Sequence, residues 1–174
     1  MAGPNSIPDE TKWRIASEFS AKLPFLYDKA FRSALGDRYD EIEQEVWMDA
    51  AGTAFEIAKS LGLPVGTAED LAETMRTILI ILFGPGFKSE TLKVSDDGAV
   101  IVTKRCPFIA STSEADADGR HTFRKCMAFT LSSIPRLNSN YTARFVRTMC
   151  TGDRQCEMKI SKKTPDSAGR PAKK

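Results

Sequence analysis

Histidine is almost missing from this 174-residue chain, in which His121 is the only one. This shortage excludes metal centres and proton relays that draw on several imidazole groups. Long apolar runs are missing as well, because the longest, at 78–83, is far shorter than the roughly 20 residues of a membrane-spanning helix. The first residues are neither basic nor strongly apolar, so the sequence predicts no secretory signal.

Familiar catalytic and nucleotide-binding motifs are also absent. The sequence contains no P-loop, no G-x-G-x-x-G, no G-x-S-x-G and no H-E-x-x-H, so the mechanisms tied to those patterns are not indicated. A strong charge imbalance is missing too, since the net charge is +2. Five basic residues accompany Asp166 in 162–174, so this segment is strongly basic and the rest of the chain is slightly acidic. Nucleic-acid binding is therefore not indicated for the body of the protein.

What remains is the composition of an ordinary globular domain. Apolar residues make up 41% of the chain, which suffices at this length to bury a core without disulfide bonds. We predict a single α+β domain at 1–161, with a helical part at 9–84 and a cysteine-bearing sheet part at 90–161. A disordered basic tail is expected at 162–174, because that segment is polar and rich in chain breakers. A cytoplasmic location is expected.

Apolar residues recur at helical spacing through the first half of the chain. A helix is predicted from Asp9, and it should break or kink at Pro24. The clearest helix is predicted at 39–61, where an apolar stripe of partly small residues lets a neighbouring helix approach. A third helix is predicted to start at Thr67, whose hydroxyl forms a cap together with Asp70.

Beyond residue 86 the apolar residues alternate, which is typical of strands. Asp97 and Gly98 form a turn signal between two predicted strands, the second of which delivers Cys106 at its end. A loop is predicted at 109–119, followed by a short helix at 123–131. The sequence thus indicates a helical N-terminal half packed on a small antiparallel sheet built from two hairpins.

The second of those hairpins is predicted to pair 142–150 with 155–161. A three-residue loop would place Cys150 opposite Cys156 and Val146 opposite Ile160. Both cysteines would then face inward, with Cβ atoms about 4.5 to 5.5 Å apart. That separation of the Cβ atoms would suit two ligands of one metal ion.

Four cysteines, all of them after residue 105, carry the strongest chemical signal: Cys106, Cys126, Cys150 and Cys156. In a reducing compartment, clustered cysteines bind metals or act in catalysis more often than they form disulfides. We predict that the four thiolates hold one metal centre, a 4Fe-4S cluster in preference to Zn²⁺. Such a centre would serve electron transfer, redox sensing or substrate binding.

A family resemblance rests on the same residues. Arg105-Cys106-Pro107, Cys126 and Cys150-x-Gly152-Asp153-x-x-Cys156-x-Met158-x-Ile160 resemble the cysteine framework of 4-vinyl-reductase-type domains and of the aminothiazoline-carboxylate-hydrolase-like family. The likeness spans about 40–161, with its specific motifs in 104–160. It implies zinc binding, as in related sensor domains, or a cysteine site that opens a sulfur heterocycle.

Two further functions are consistent with these residues. A hydrolase-like enzyme acting on a small sulfur- or nitrogen-containing substrate would need a cation beside its cysteine, supplied by Arg105 or His121. A zinc-stabilised sensing domain would bind a small molecule in an apolar pocket lined by residues such as Trp47, Phe55, Met75 and Phe83. A redox or other protein partner is expected, a homodimer is compatible, and no membrane association is indicated. Whether the protein is an enzyme is left open.

Overall fold

The structure is a computed structural model that describes residues 3–114 and 118–164. Within these ranges lie five α-helices: α1 Asp9–Leu35, α2 Arg38–Leu61, α3 Ala68–Phe83, α4 Pro107–Glu114 and α5 Gly119–Leu137. The strands β1 Lys88–Ser95, β2 Gly98–Arg105, β3 Tyr141–Arg147 and β4 Cys156–Lys162 form an antiparallel sheet in the order β1-β2-β4-β3. Short 3₁₀ turns cover Pro4–Ser6 and Met149–Thr151. The predicted α+β class is confirmed.

Helix α1 continues through Pro24, so the predicted break does not occur. A proline inside a helix removes a backbone hydrogen bond and costs about 3 kcal/mol. Packing offsets this cost, because Ala21 and Phe25, on either side of the proline, are almost fully buried. The helix ends at Gly36, whose φ of 58° is one that glycine adopts without strain.

Helices α2 and α3 agree closely with the predictions. The small residues Ala51, Ala54 and Ala58 form the buried stripe of α2. At the start of α3 the Thr67 hydroxyl accepts the N–H of Asp70 at 3.1 Å, and the Asp70 carboxylate accepts the N–H of Thr67 at 3.0 Å. This reciprocal cap satisfies two N–H groups that the first turn of a helix leaves unpaired.

The second hairpin has a different register from the predicted one. Phe145 lies opposite Met158 and Ala143 opposite Ile160, whereas Cys150 belongs to the 3₁₀ turn and faces no strand partner. The reason is a longer loop, closed by an Asp153 carboxylate that accepts the N–H of Thr148 at 2.8 Å. The predicted pairing of Cys150 with Cys156 across the strands is therefore wrong.

Of the polar segment 109–119 that was predicted to be a loop, residues 109–114 belong to α4 and Gly119 begins α5, while 115–117 lie outside the described residues. A buried polar residue, Thr112, contributes no apolar signal to the helical pattern. The Thr112 hydroxyl donates to the Phe108 carbonyl at 2.6 Å and lies 2.8 Å from the Thr122 hydroxyl. Helix α5 extends well beyond 123–131 and passes through Pro135.

The core lies between α3 and the sheet, with α2 and α5 covering the remaining sides. Side chains that are fully removed from solvent include Leu71, Met75, Ile78, Ile134 and Ile160. Each such side chain stabilises the fold by about 1.5 to 3 kcal/mol relative to exposure. No helix in the described ranges is long and apolar enough to cross a bilayer.

Strand β4 reaches Lys162, one residue past the predicted end of the domain. The Lys162 ammonium lies 3.4 Å from the Asp97 carboxylate, and the N–H of Lys163 donates to the Asn140 carbonyl at 2.8 Å. The first residues of the predicted tail therefore belong to the sheet region. The rest of that tail, 165–174, lies outside the described residues.

Candidate functional site

A small apolar cavity lies between the sheet and helices α3, α4 and α5. Its volume is about 50 Å³. Its lining consists of aliphatic and aromatic side chains, two threonines and three cysteines: Leu79, Phe83, Phe87, Ile101, Thr103, Cys106, Phe108, Cys126, Thr130, Phe145, Cys156 and Met158. No ionisable group other than the thiols belongs to this lining. The cavity thus suits an uncharged, apolar ligand.

Three elements bring three of the predicted site residues together at this cavity. Cys106 follows β2 and precedes α4, Cys126 lies on α5, and Cys156 begins β4. Cys150, in the 3₁₀ turn, is not part of the lining. All four are free thiols, and they are close enough to influence one another's charge.

Cys106 lies at the start of α4, where the backbone N–H groups of Phe108 and Ile109 interact with its sulfur. Burial nevertheless dominates and raises the pKa of the Cys106 thiol to about 12, against the opposing effect of these donors. The thiol is therefore protonated near neutral pH. A protonated thiol is not a ready nucleophile.

The other thiols are in similar surroundings. Burial is the main cause of the raised pKa of Cys126, whose sulfur lies 3.7 Å from the Thr130 hydroxyl. Burial also raises the pKa of Cys156, although its sulfur accepts the N–H of Met149 at 3.3 Å. The pKa of Cys150 is raised for the same reason. These environments favour neutral sulfur.

The predicted function of a four-cysteine metal protein is contradicted by this arrangement. In the parts of the chain that the structure describes, no three side chains among Cys, His, Asp and Glu are placed to hold a metal ion together. The sulfurs of Cys106, Cys126 and Cys156 line the walls of an apolar cavity. The cofactor named for the centre, a 4Fe-4S cluster or Zn²⁺, stays a prediction that metal analysis of the purified protein tests.

The two cations proposed to activate a cysteine, His121 and Arg105, lie in different surroundings. His121 faces helix α2, where its Nδ1 lies 3.3 Å from an Asp40 oxygen without the alignment of a hydrogen bond. It does not line the cavity. Arg105 is exposed beside Cys106, yet the pKa of that thiol is raised and not lowered. The hydrolase-like interpretation therefore loses its activated nucleophile.

A cleft of about 300 Å³ between α1 and α4 adjoins the cavity. Phe83 and Cys106 line both spaces. A third space, a groove of about 220 Å³ against α2, shares Phe83 and Phe108 with the cavity and includes Trp47. Cys106 is thus the thiol at the boundary between the cavity and an outer cleft.

Aromatic rings separate these spaces. The Phe108 ring packs edge-on against Phe83, with centroids 4.7 Å apart, and against Phe25 at 5.6 Å and Trp47 at 5.8 Å. Two residues of the predicted sensing pocket, Trp47 and Phe83, therefore lie at the site. Met75 is buried in the core, and Phe55 is exposed on the surface. The sequence does not single out Phe108, because the segment that follows it, 109–119, has the composition of a loop.

A larger groove, of about 490 Å³, lies between α2 and α5. Its lining contains no cysteine and includes the charged residues Asp40, Glu41 and Arg124. Volume alone does not make it the functional site, because it lacks the enclosed apolar lining and the thiols that distinguish the smaller cavity.

A buried ionic cluster next to the aromatic rings was also missed. Lys125 on α5 is 1% exposed, and its ammonium lies 2.8 Å from a Glu43 oxygen and 3.8 Å from an Asp28 oxygen. The Tyr39 hydroxyl donates to the other Glu43 oxygen at 3.0 Å. The cluster joins α5 to α1 and α2, and no sequence motif marks it.

Helices α1 and α2 leave apolar residues on the outside of the molecule. Ile15, Phe19 and Leu26 follow one another at helical spacing on α1, and each is between 54% and 60% exposed. We call the whole set the α1–α2 apolar surface: Ile15, Phe19, Leu26, Tyr27, Phe31, Leu35, Ile42 and Val46. Exposed apolar side chains on two neighbouring helices are candidates for an interface.

Comparison with known proteins adds a fold relationship. No protein-family model matches the chain, and no curated protein matches it in sequence. A solved structure of similar fold is subunit 3 of a trafficking protein particle complex from Naegleria fowleri, covalently bound to palmitic acid. The two chains superpose with a TM-score of 0.53 and 15% identity, over 86% of this chain and 96% of the other. The likeness establishes a shared fold.

The family resemblance predicted from the cysteine pattern is contradicted by these comparisons. The structural match is to a trafficking-complex subunit, not to an aminothiazoline-carboxylate hydrolase or a 4-vinyl reductase. The pattern misled because it was interpreted as a ligand framework. In the structure Cys106, Cys126, Cys156 and Met158 line an apolar cavity, and Cys150 lies outside its lining.

Proposed function

We propose that the protein holds an apolar ligand of the fatty-acyl class in the cysteine-lined cavity and works as a subunit of a protein assembly. The observation that carries the ligand proposal is the composition of the lining, which is apolar apart from thiols and hydroxyls. The trafficking subunit that shares the fold is described as covalently bound to palmitic acid, which supports the same ligand class.

The cavity is too small for a long acyl chain, so binding of such a ligand requires a change of conformation. The cavity of about 50 Å³ is well below the roughly 300 to 1,000 Å³ of common ligand pockets. Movement of Phe83 and Phe108 would join it to the adjoining cleft and groove, of about 300 and 220 Å³. A long acyl chain would then replace contacts among aromatic rings by contacts with its own methylene groups.

Covalent attachment at Cys106 is consistent with the electrostatics. A buried thiolate is disfavoured because charge loses its hydration, whereas a thioester is neutral and loses little. The same burial would keep water from the thioester and slow its hydrolysis. The site therefore supports stable retention of an acyl group better than catalytic turnover.

The assembly proposal rests on the α1–α2 apolar surface. A two-fold arrangement that sets α1 of one chain against α2 of another would cover exposed apolar residues of both helices. Free thiols throughout agree with a reducing, cytoplasmic setting.

The ligand proposal is tested with a fluorescent long-chain fatty acid and the purified full-length protein. Wild type should bind it and should release it to unlabelled palmitate. Cys156→Leu fills the cavity without adding charge and should weaken binding by at least tenfold, the effect of about 1.4 kcal/mol. Cys150→Ser lies outside the cavity lining and serves as the matched control. Equal affinity in both variants, or no binding by wild type, would refute the cavity as the site.

A further inference from the structure

The sheet has one face in the core and a second face that the core does not use. On β2, Ala99 and Ile101 belong to the core, so Val100 and Val102 point the other way, because side chains alternate along a strand. Cross-strand pairing places further residues on that side. We call the set the outer sheet face: Glu90, Leu92, Val100, Val102, Lys104, Arg144, Arg147, Glu157 and Lys159.

Two rows of side chains cross this face at right angles to the strands, and they differ in charge. In the first row, Glu157 pairs with Arg147 at 3.0 Å. Glu90 pairs with Lys104 at 2.8 Å. Val102, which lies between Glu90 and Glu157 in the register, is only 4% exposed. The first row therefore neutralises its own charges.

The second row has unpaired charge and exposed apolar surface. It consists of Leu92 on β1, Val100 on β2, Lys159 on β4 and Arg144 on β3, each opposite the next. Leu92 is 49% exposed, and Arg144 is exposed as well. Neither Lys159 nor Arg144 forms an ion pair with another residue that the structure describes. Like charges directly opposite each other destabilise a sheet, so this pair has a cost in the free protein.

We infer that the second row binds an acidic amphipathic helix of another protein. A carboxylate beside Lys159 and one beside Arg144 would offset the repulsion between these cations, and a guanidinium binds carboxylate through paired N–H donors. The exposed side chain of Leu92 offers apolar contact in the same row. The inference uses neither the cysteine-lined cavity nor the α1–α2 apolar surface, so it goes beyond the proposed function.

The spacing of the strands defines the pattern of the partner helix. Neighbouring strands lie about 4.8 Å apart and a helix rises about 1.5 Å per residue, so successive strands are matched about every 3.2 residues. Helix positions i, i+3, i+7 and i+10 share one face and would meet β1, β2, β4 and β3 in turn. The partner should therefore carry apolar residues at i and i+3 and Asp or Glu at i+7 and i+10. An extended segment fits less well, because its side chains on one side recur about every 6.6 Å.

The carboxylates of the first row argue against a nucleic acid or a membrane as the occupant. Glu90 and Glu157 lie one row away from the unpaired cations, and each already neutralises a cation there. Nucleic acids and anionic membranes are bound by many uncompensated cations. Among the described residues of the outer sheet face, only Lys159 and Arg144 are uncompensated.

The test uses two synthetic peptides and the purified full-length protein, with fluorescence anisotropy at low salt as the measurement. Both peptides are alanine-based helices of about 18 residues, long enough to be helical in water. The first carries Leu at i and i+3 and Glu at i+7 and i+10. The second has the same composition, with both Glu residues on the opposite face. The first should bind about tenfold more tightly, since each of two exposed charge contacts contributes about threefold.

Two variants locate the site. Arg144→Gln should lower the preference for the first peptide about threefold. Lys59→Gln, which removes an exposed cation from α2, is the matched control and should keep the wild-type preference. Arg144→Gln also removes the repulsion with Lys159, so it should raise the midpoint of thermal unfolding while it weakens peptide binding. A lowered midpoint would contradict the arrangement of opposed cations.

The remaining outcomes separate this surface from other occupants and from the proposed function. Equal affinity for the two peptides, or no binding of either, rules out the helix site. If vesicles of anionic phospholipid bind more tightly than the first peptide and Arg144→Gln loses that binding, the occupant is a membrane and the inference is wrong. Phe19→Glu, which alters the α1–α2 apolar surface, should bind the first peptide as wild type does. Loss of binding in Phe19→Glu would assign the peptide to that surface instead.

Discussion

At the scale of single residues, burial decides the chemistry of the cysteines. The same thiols on a surface would titrate near pH 8.5 and would be available to metals and electrophiles. In this fold the pKa of Cys106 is raised to about 12 by its apolar surroundings. Neutral sulfur is compatible with the wall of an apolar cavity, which Cys106 helps to form.

Stability should therefore fall at alkaline pH. Above about pH 8.5 the unfolded chain releases thiol protons that the folded chain keeps, because burial raises the pKa of Cys126. The unfolded state then binds fewer protons, so the free energy of unfolding decreases as pH rises. Denaturant titrations between about pH 8 and pH 10 should show this decrease. Cys126→Ser should reduce its slope by up to about 1.4 kcal/mol per pH unit. Identical slopes would contradict the raised pKa.

The buried ammonium of Lys125 gives a second residue-scale prediction. Lys125→Met leaves the buried Glu43 carboxylate without its cation at 2.8 Å and should destabilise the protein by about 3 to 5 kcal/mol. Lys104→Met breaks an ion pair of the same length, to Glu90, on the surface and should cost less than about 1 kcal/mol. Urea denaturation measures both. Similar losses would mean that Lys125 is not buried as described.

At the scale of elements, the Cys150 turn packs against the start of α5. Gly119 and the Cys150 carbonyl are so close that a Cβ at residue 119 would overlap the carbonyl oxygen. Glycine is required here by its neighbour rather than by its own φ. The contact helps to place the loop that leads into Cys156 and the cavity.

Gly119→Ala should therefore destabilise the protein, by about 1 to 3 kcal/mol for overpacking against backbone. Gly52→Ala is the matched control, since its new Cβ would meet only the flexible end of Arg136 at 3.2 Å. In the interior of α2 this control should be neutral or stabilising by up to about 1 kcal/mol. Thermal unfolding of the two variants measures the difference. A harmless Gly119→Ala would show that the turn does not dock on α5.

At the scale of the whole molecule, the α1–α2 apolar surface indicates a protein that does not work alone. The simplest occupant to measure is a second copy, because exposed apolar residues occur on both helices.

Light scattering coupled to gel filtration should thus report a concentration-dependent dimer. Phe19→Glu places a charge in the middle of the α1 row, where Phe19 is 60% exposed, and should give a monomer. Val94→Glu changes an equally exposed apolar residue on β1, 58% exposed, and should leave the dimer intact. A wild type that stays monomeric at every concentration would exclude self-association through this surface.

The sequence by itself determined the elements whose signals are local. Apolar periodicity placed α2 and α3, the Thr67 cap placed the start of α3, and the Asp97-Gly98 turn placed the first hairpin. These features depend on neighbours within a few residues. They can therefore be predicted from the order of the amino acids.

Only the tertiary structure decided what the cysteines do. The sequence singles out Cys106, Cys126 and Cys156, and the metal-binding role predicted for them was inferred from composition. Their protonation depends on how much apolar surface covers each sulfur, and residues far apart in the chain, such as Leu79 and Met158, provide that cover. Long-range packing also keeps α1 helical through Pro24 and buries Lys125. The burial of a side chain depends on the tertiary structure, so it cannot be predicted from a pattern in the sequence alone.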